Sequence, residues 1–215
     1  MPATVHRSLV LSLSFVLLLL SLWLPLARAQ APSPPTVLIY GDSLSAGYGI
    51  ALEQSWPSLL QKRLASAQKP YRLVNASISG ETTAGGRARL EAALNESKPA
   101  VMVLALGAND GLRGLPVAQM RDNLSAMLRL ARERKVRVLL VGMRLPPNYG
   151  PAYNQAFEAS FAQLAKAEKA ALLPFLLEPI AADANAFQPD RLHPVAAAQP
   201  RLLEHVWSAL KPLLK

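Results

Sequence analysis

Hydrophobic and polar positions along the chain form short apolar runs separated by longer stretches with helical spacing. The short runs, rich in Val, Leu and Ile, predict strands at residues 36–40, 71–78, 100–106, 136–143 and 171–177. Apolar positions recurring every three to four residues predict helices at residues 56–64, 82–96, 116–134, 152–170 and 195–214. Strands that alternate with helices favour βαβ units and a single parallel sheet.

This order of elements predicts an α/β fold with about five parallel strands. Because βαβ crossovers are right-handed, the sheet should be doubly wound and flavodoxin-like, with helices on both faces in a three-layer arrangement. Pro174 lies inside the last predicted strand and therefore indicates an edge position. In such folds ligands bind outside the carboxyl ends of the strands. We therefore expect the chemistry in the segments that leave those ends.

The first 29 residues have the layout of a secretory signal peptide. His6 and Arg7 precede an apolar run at residues 9–26, and small residues at Ala27 and Ala29 predict cleavage after Ala29. We expect residues 30–215 to form one domain, located in the periplasm or outside the cell. The alternative is an uncleaved membrane anchor, since the apolar run approaches spanning length. After cleavage we expect no stable membrane insertion.

Composition narrows the possible partners. The chain has no cysteine, which excludes disulfides and thiolate metal sites. Losing Arg7 and Arg28 with the signal would lower the net charge from +9 to +7. The densest basic cluster, at residues 132–137, falls at a predicted helix end, where the helix dipole stabilises cations. No aromatic residues interleave with it, so we expect no nucleic-acid binding. We expect the protein to be a monomer.

Three residues fit nucleophilic catalysis. Ser43 lies in Gly-Asp-Ser-Leu directly after the first predicted strand, where a hydroxyl is exposed near backbone N–H groups. A serine nucleophile needs a base, and His193 precedes the last predicted helix. Asp190, three residues earlier, can accept the imidazole Nδ1–H and leave Nε2 facing the serine. The non-catalytic alternatives are that Ser43 caps a helix, that Asp190 belongs to a turn and that His193 is exposed to solvent. We expect His205 to be a surface or packing residue.

Two further segments offer donors for an oxyanion. Gly80 follows the second predicted strand and presents a backbone N–H without a side chain, and Asn109 follows the third with a side-chain amide. The backbone N–H of Ser43 would be a third donor. A turn glycine and an Asx-turn asparagine are the alternatives. All of these elements occur at successive strand ends, which makes coincidence improbable.

These blocks resemble those of the SGNH, or GDSL, hydrolases. The family takes its letters from residues corresponding to Ser43, Gly80, Asn109 and His193 here. The similarity continues through VNASISGET (74–82), GANDGLRG (107–114), RLPPNYGPAYNQAF (144–157), LLPFLLE (172–178) and HPVAAAQP (193–200), as in bacterial thioesterase, lysophospholipase and arylesterase members. Two departures are Ala108, where those members have glycine, and residues 185–188, which lack a clear match.

The resemblance implies an SGNH-hydrolase fold and hydrolysis of carboxylic esters and thioesters through an acyl-enzyme, with no cofactor and no metal. Its substrate would be a small acyl ester or thioester. Residues 111–116 and 145–149 flank the predicted oxyanion site and mix apolar side chains with glycine or proline. We expect Leu112, Leu145 and Pro146 to bind the acyl chain, with Gly111 and Gly114 making the first segment a mobile flap. Two alternatives stay open: a carbohydrate O-acetyl esterase and a non-enzymatic, flavodoxin-like ligand-binding protein.

Overall fold

A sheet of five parallel strands forms the centre of the fold. The computed structural model describes residues 33–68 and 70–214, so the predicted signal peptide lies outside the described residues. The strands are β1 (Thr36–Gly41), β2 (Arg72–Asn75), β3 (Val101–Ala105), β4 (Arg137–Val141) and β5 (Ala171–Leu173). Their order is β2-β1-β3-β4-β5 and all four pairings are parallel, which confirms the flavodoxin-like topology.

Helices follow each strand, and short 3₁₀ turns occur in the loops. The helices are α1 (Ser43–Ala46), α2 (Trp56–Ala65), α3 (Thr83–Ser97), α4 (Ala108–Leu112), α5 (Val117–Glu133), α6 (Pro151–Glu168) and α7 (Gln199–Leu210). The 3₁₀ turns are Leu52–Gln54, Pro147–Tyr149, Ala184–Ala186, Ala196–Ala198 and Lys211–Leu213. Within residues 33–68 and 70–214, no helix is both long and apolar enough to cross a membrane.

Each face of the sheet has its own hydrophobic core, as the continuous apolar strands predict. Successive side chains of a strand point to opposite faces. Val37 and Ile39 of β1 pack with residues of α2 and α7, whereas Leu38 and Tyr40 pack with residues of α3, α5 and α6. All four of these side chains are fully buried. The three layers hold the carboxyl ends of the strands in a fixed order along one edge.

Several element boundaries differ from the sequence-based prediction. β2 ends at Asn75, because the Asn75 side chain donates to the Ser45 carbonyl (2.8 Å) and accepts from the Ser77 amide (3.1 Å), which turns the chain away. β5 ends before Pro174, although its position at the sheet edge is as predicted. The closing helix is interrupted by a 3₁₀ turn at Lys211–Leu213, where Pro212 lacks the amide that an α-helix needs.

The topological switch point lies between β1 and β3. From β1 the chain adds β2 on one side of the sheet, and it then crosses to the other side to add β3, β4 and β5. α1 begins two residues after β1, and α4 begins three residues after β3. The sequence pattern did not predict these two short helices, because four or five residues are too few to show a periodicity. They place Ser43 and Asn109 at neighbouring strand ends.

Candidate active site

Ser43 is the first residue of a short helix whose start is fixed by a buried carboxylate. Asp42 caps α1 by accepting a hydrogen bond from the Leu44 amide at 3.1 Å. Only 2% of Asp42 is exposed. The chain leaves α1 at Gly47, which adopts a positive φ of 76° that glycine accepts without strain. The Ser43 side chain is thus presented at a sharp strand-to-helix turn, the kind of turn on which serine nucleophiles stand.

His193 and Asp190 lie next to this serine. The His193 Nε2 atom is 2.8 Å from Ser43 Oγ, across 150 residues of sequence. Its Nδ1 atom is 2.7 Å from Asp190 Oδ2. The structure therefore brings the three predicted residues into one hydrogen-bonded chain. In this order the carboxylate fixes the tautomer in which Nε2 is free to accept the serine proton.

The Asp190 carboxylate is held in its charged form by the turn that carries it. Hydrogen bonds from the His193 backbone and side chain, and from the Leu192 amide, lower the pKa of Asp190 to about 2. Its Oδ1 atom accepts from the Leu192 amide at 2.9 Å and from the His193 amide at 3.0 Å. Asp190 therefore remains ionised in neutral and mildly acidic solution and able to orient the imidazole.

Neighbouring side chains fix the position of the His193 loop. The Gln188 side-chain amide donates to the carbonyls of Tyr48 (2.9 Å) and Pro194 (3.1 Å), which ties the histidine loop to the segment after α1. The Tyr48 ring packs at 4.5 Å from the His193 ring. Sequence analysis missed both Gln188 and Tyr48, since their contacts span about the whole domain and carry no local signal.

The predicted oxyanion donors line the same cavity as the serine. Ser43, Gly80 and Asn109 all contribute to its wall. Gly80 has a φ of 78° in a turn where its carbonyl accepts a 2.8 Å hydrogen bond from Arg113. Asn109 stands in the first turn of α4, not in an Asx turn. Its amide nitrogen donates to the Glu81 carbonyl at 3.0 Å and makes a longer contact, 3.3 Å, with Asp42 Oδ2.

A buried polar cluster joins the two segments that carry Gly80 and Asn109. Asp110 accepts hydrogen bonds from the amide (2.8 Å) and the hydroxyl (2.5 Å) of Thr83, and Asn123 donates to the same hydroxyl at 3.2 Å. Asp110 and Thr83 are 3% and 0% exposed. Since Asp110 follows Asn109 directly, this cluster fixes the start of α4 against the start of α3.

Asp42 is the buried acid closest in sequence to the candidate nucleophile. Burial raises its pKa to about 6, against the opposing effects of the Leu44 amide and the charge on His193. Sequence analysis gave Asp42 no separate role. Its position directly before the first helical residue is an N-cap signature that could have identified it, because an aspartate there accepts from amides in the first turn.

The cavity has a volume of about 400 Å³, a size typical of small-molecule sites. The three side chains predicted to bind the acyl group, Leu112, Leu145 and Pro146, contribute to its wall. Three further apolar side chains that sequence analysis did not single out also line it: Met143, Phe175 and Leu177. The wall combines an apolar region with the polar group of Ser43 and His193, as a site for an acyl ester requires.

The prediction that Gly111 makes the first apolar segment a mobile flap is wrong. Gly111 lies in α4 and is buried, and a Cβ there would come within 2.7 Å of Leu145 and Phe157. Glycine at this position therefore permits close packing, not loop motion. The Tyr149 hydroxyl also donates to the Leu112 carbonyl at 2.8 Å, which joins the two apolar segments.

His205 lies away from this group. Its Nε2 atom is 3.0 Å from the Phe175 carbonyl, and the residue is half-buried on α7. The predicted packing role of His205 is consistent with this contact. Of the two histidines in the described residues, only His193 contacts Ser43.

A serine, a histidine and an aspartate in hydrogen-bonded order, beside a cavity at the switch point of a doubly wound sheet, are typical of α/β serine hydrolases. Residues 39–199 match the GDSL-like Lipase/Acylhydrolase family. The chain belongs to this family and is an ester hydrolase. This assignment excludes the flavodoxin-like ligand-binding protein that the fold alone left open.

Three similar proteins illustrate the relationship. The chain is 50% identical to Esterase TesA of Pseudomonas aeruginosa, over 97% of this chain and all of the relative. It is 40% identical to Thioesterase 1/protease 1/lysophospholipase L1 of Escherichia coli (strain K12), over 90% of this chain and 91% of that one. A solved structure of the psychrotrophic esterase EstA from Pseudoalteromonas sp., inhibited by monoethylphosphonate, superposes with a TM-score of 0.80 at 41% identity, covering 83% and 98% of the two chains.

Proposed function

We propose that this protein hydrolyses acyl esters and thioesters through an acyl-enzyme on Ser43, with His193 as base and Asp190 as its orienting group. The observation that carries the proposal is the hydrogen-bonded order of the three residues, with contacts of 2.7 and 2.8 Å beside the cavity. The relatives named as esterase and as thioesterase and lysophospholipase support the substrate class.

In the proposed reaction, His193 Nε2 takes the Ser43 proton while Ser43 Oγ bonds to the acyl carbon. The resulting oxyanion accepts hydrogen bonds from the Ser43 and Gly80 amides and from the Asn109 side chain. The bond to the leaving alcohol or thiol then breaks, and His193 returns the proton to it. A water molecule, deprotonated by His193, attacks the acyl carbon; the bond to Ser43 Oγ then breaks, His193 returns the proton to Oγ, and the carboxylic acid leaves.

The contacts of Asn109 specify how it would take part. An amide nitrogen has two protons, and the 3.0 Å hydrogen bond to the Glu81 carbonyl uses one. The second proton makes the 3.3 Å contact to Asp42, which is longer and weaker, so the second proton is the one available to an oxyanion. The bond to Glu81 would keep the amide in the correct rotamer while the other proton changes its acceptor.

Labelling with a fluorophosphonate tests the nucleophile. We expect one adduct, on the peptide that contains Ser43, and loss of the adduct in Ser43→Ala with a fall in kcat of about 10⁴-fold or more. Ser45 lies in the same peptide and is fully buried, so Ser45→Ala is the matched control and should keep the label. Label found on Ser45, or retained by Ser43→Ala, would contradict the assignment.

The apolar wall supports an acyl chain longer than acetyl. Burial of each methylene contributes up to about 0.8 kcal/mol, so kcat/KM should rise from acetyl to medium-chain p-nitrophenyl esters. Leu112→Ala and Leu145→Ala should flatten this rise. If acetyl esters are the best substrates of the unaltered enzyme, the carbohydrate O-acetyl esterase becomes the better assignment.

Export and oligomeric state complete the proposal. Cleavage after Ala29 would give a monomeric mature protein that begins at Gln30, in the periplasm or the medium. N-terminal sequencing of the exported protein tests the cleavage, and an intact Met1 on membrane-bound material would instead support the anchor. Light scattering on the purified mature protein measures its mass, and a dimer would contradict the expected monomer.

A further inference from the structure

One guanidinium on the cavity wall carries a charge that no described acid neutralises. Arg191 and Arg144 both line the cavity. Arg144 lies 2.7 Å from Glu158 and 2.8 Å from Glu178, so its charge is balanced. In the part of the chain that the structure describes, the side chain of Arg191 has neither a hydrogen bond nor an ion pair. The positive charge of Arg191 is therefore available to a ligand in the cavity.

The backbone of Arg191 adopts a conformation that favours glycine. Its φ is 58°, in the left-handed region. The other described non-glycine residues with positive φ are Lys98, Lys135 and Lys169. Lys98 and Lys169 are helix C-caps, and Lys135 directly follows one. Arg191 instead lies within the turn that carries His193. Arg191 therefore has a disfavoured backbone conformation in a turn beside the reacting groups, where such conformations are concentrated.

The turn around Arg191 is fixed, so its side chain starts from a defined point. The Arg191 amide donates to the Gln188 carbonyl at 2.9 Å, and the Gln188 amide donates to the His193 carbonyl at 2.7 Å. The Asp190 carboxylate is already bonded to the amides of Leu192 and His193 and to the imidazole, so it does not hold the guanidinium.

The chemistry of the reaction tells which part of a substrate lies near this turn. The group that protonates the leaving alcohol or thiol must be next to it, and that group is His193 in the proposed mechanism. Arg191 is two residues from His193. The acyl chain, by contrast, would lie against Leu112 and Leu145, on segments that follow β3 and β4. Arg191 therefore lies on the leaving-group side of the cavity.

We propose that Arg191 binds a phosphate group carried by the leaving alcohol or thiol of the substrate. This inference rests on the proposed function and adds a preference for substrates with an anionic leaving group. Arginine suits the role because its planar fork matches phosphate oxygens and is always charged. The phosphate can belong to the headgroup of a lysophospholipid or to a nucleotide-bearing thiol such as coenzyme A.

Two substrate pairs test the inference and distinguish these sources. In the thioester pair, octanoyl-coenzyme A is compared with octanoyl-N-acetylcysteamine, which has the same thioester without phosphates. In the ester pair, a 1-acylglycerol 3-phosphate is compared with the matching 1-acylglycerol, both below their aggregation concentrations. Dividing kcat/KM of the charged substrate by that of its neutral partner removes effects common to both, such as a general change in the catalytic groups.

Arg191→Gly should lower this quotient by roughly three- to ten-fold, a modest effect because the guanidinium is exposed and screened by solvent. Glycine accepts the φ of the turn, so the loop is not expected to rearrange. Arg191→Lys should keep most of the quotient. Lys166→Gln removes the same charge on the last turn of α6, outside the cavity, and should leave the quotient unchanged. Raising the ionic strength should reduce the quotient of the unaltered enzyme.

A fall in both pairs supports recognition of phosphate from either source, whereas a fall in one pair assigns the source. The inference is overturned if Arg191→Gly and the unaltered enzyme have the same quotient in both pairs. If the unaltered enzyme hydrolyses none of the four substrates, the proposed function itself has failed, and the inference falls with it.

Discussion

The two sides of the candidate site are held in place by different means. On the nucleophile side, Asp42, Thr83 and Asp110 are at most 3% exposed and bond to one another's segments through buried atoms. On the base side, the Asp190 side chain is 39% exposed, and Leu192 is 40% exposed. One side is part of the domain interior, and the other is a surface turn.

This contrast separates what each side contributes to stability and to catalysis. A buried donor or acceptor that loses its partner costs about 1–3 kcal/mol, because no water replaces the lost partner. Side chains of a surface turn exchange their contacts for water at little cost. Substitutions on the nucleophile side should therefore change both folding and activity, whereas those on the base side should change activity alone.

The largest effect on the base side should come from His193→Ala. Without the imidazole nothing accepts the Ser43 proton, and we expect kcat to fall by about 10⁴-fold with little change in melting temperature. Steady-state kinetics and a thermal melt on the same preparation measure both. His205→Ala is the matched histidine control and should change kcat by less than about threefold. A His193→Ala enzyme with normal kcat would exclude the assigned base.

On the nucleophile side, Asn109→Ala should lower kcat by about 10²–10³-fold while KM changes little. The proposed hydrogen bond to the oxyanion strengthens only in the transition state, so its loss slows the chemical step without weakening substrate binding. A full Michaelis–Menten curve separates the two constants. An effect confined to KM would assign Asn109 to substrate binding instead.

Two aspartates provide the direct comparison between the sides. Asp110→Ala leaves the Thr83 amide and hydroxyl without their acceptor in the interior, so the free energy of unfolding should fall by about 2–3 kcal/mol. Its kcat should fall by only about tenfold, because Asp110 acts on Asn109 through position alone. Asp190→Ala should lower kcat by about 10²-fold or more, with at most about 1 kcal/mol lost in stability. Denaturant unfolding and kcat for both variants measure the contrast.

The Asp110→Asn variant sharpens the test, because asparagine keeps one acceptor for Thr83 and should recover part of both losses. Equal losses of stability for Asp110→Ala and Asp190→Ala would show that the distinction between an interior side and a surface side is wrong.

The smallest effect is a pH dependence of stability caused by Asp42. Because burial raises the pKa of Asp42 to about 6, from 3.8 for the ordinary group, the folded state binds this proton more tightly than the unfolded state. Stability is therefore lost as pH rises between about 4 and 6 and stays low above that window. Asp42→Asn lacks the titration, so its stability relative to the unaltered enzyme should improve by on the order of 2–3 kcal/mol from pH 4 to pH 7.

Denaturant unfolding of both proteins at the two pH values measures this change, and the contributions of all other titrating groups cancel in the difference. If the two proteins differ in stability by the same amount at pH 4 and at pH 7, the raised pKa of the buried Asp42 carboxyl is contradicted. Asp190 has its pKa shifted in the opposite direction, to about 2, so Asp190→Asn should show no such change in this window.

The sequence by itself determined the fold class and the candidate residues. The apolar run at β1 and the helical spacing of α5 are local patterns, because they depend only on which side chains are buried away from water. Such patterns can be recognised in a single sequence. Ser43, Gly80, Asn109 and His193 could be proposed because each follows or precedes such an element. The parallel sheet then requires the strand ends to meet at one edge, which limits where these residues can lie.

Only the tertiary structure decided how these residues are supported. The Asp110–Thr83 bonds join positions 27 residues apart, and the His193–Ser43 contact joins positions 150 apart, so no local pattern encodes either distance. The same holds for the burial of Asp42, which follows from the packing of separate segments around it and which shifts its pKa. Gly111, expected to loosen a loop, instead allows Leu145 and Phe157 to pack against α4. Periodicity records which side chains avoid water, whereas close contacts between distant segments depend on the whole chain being folded.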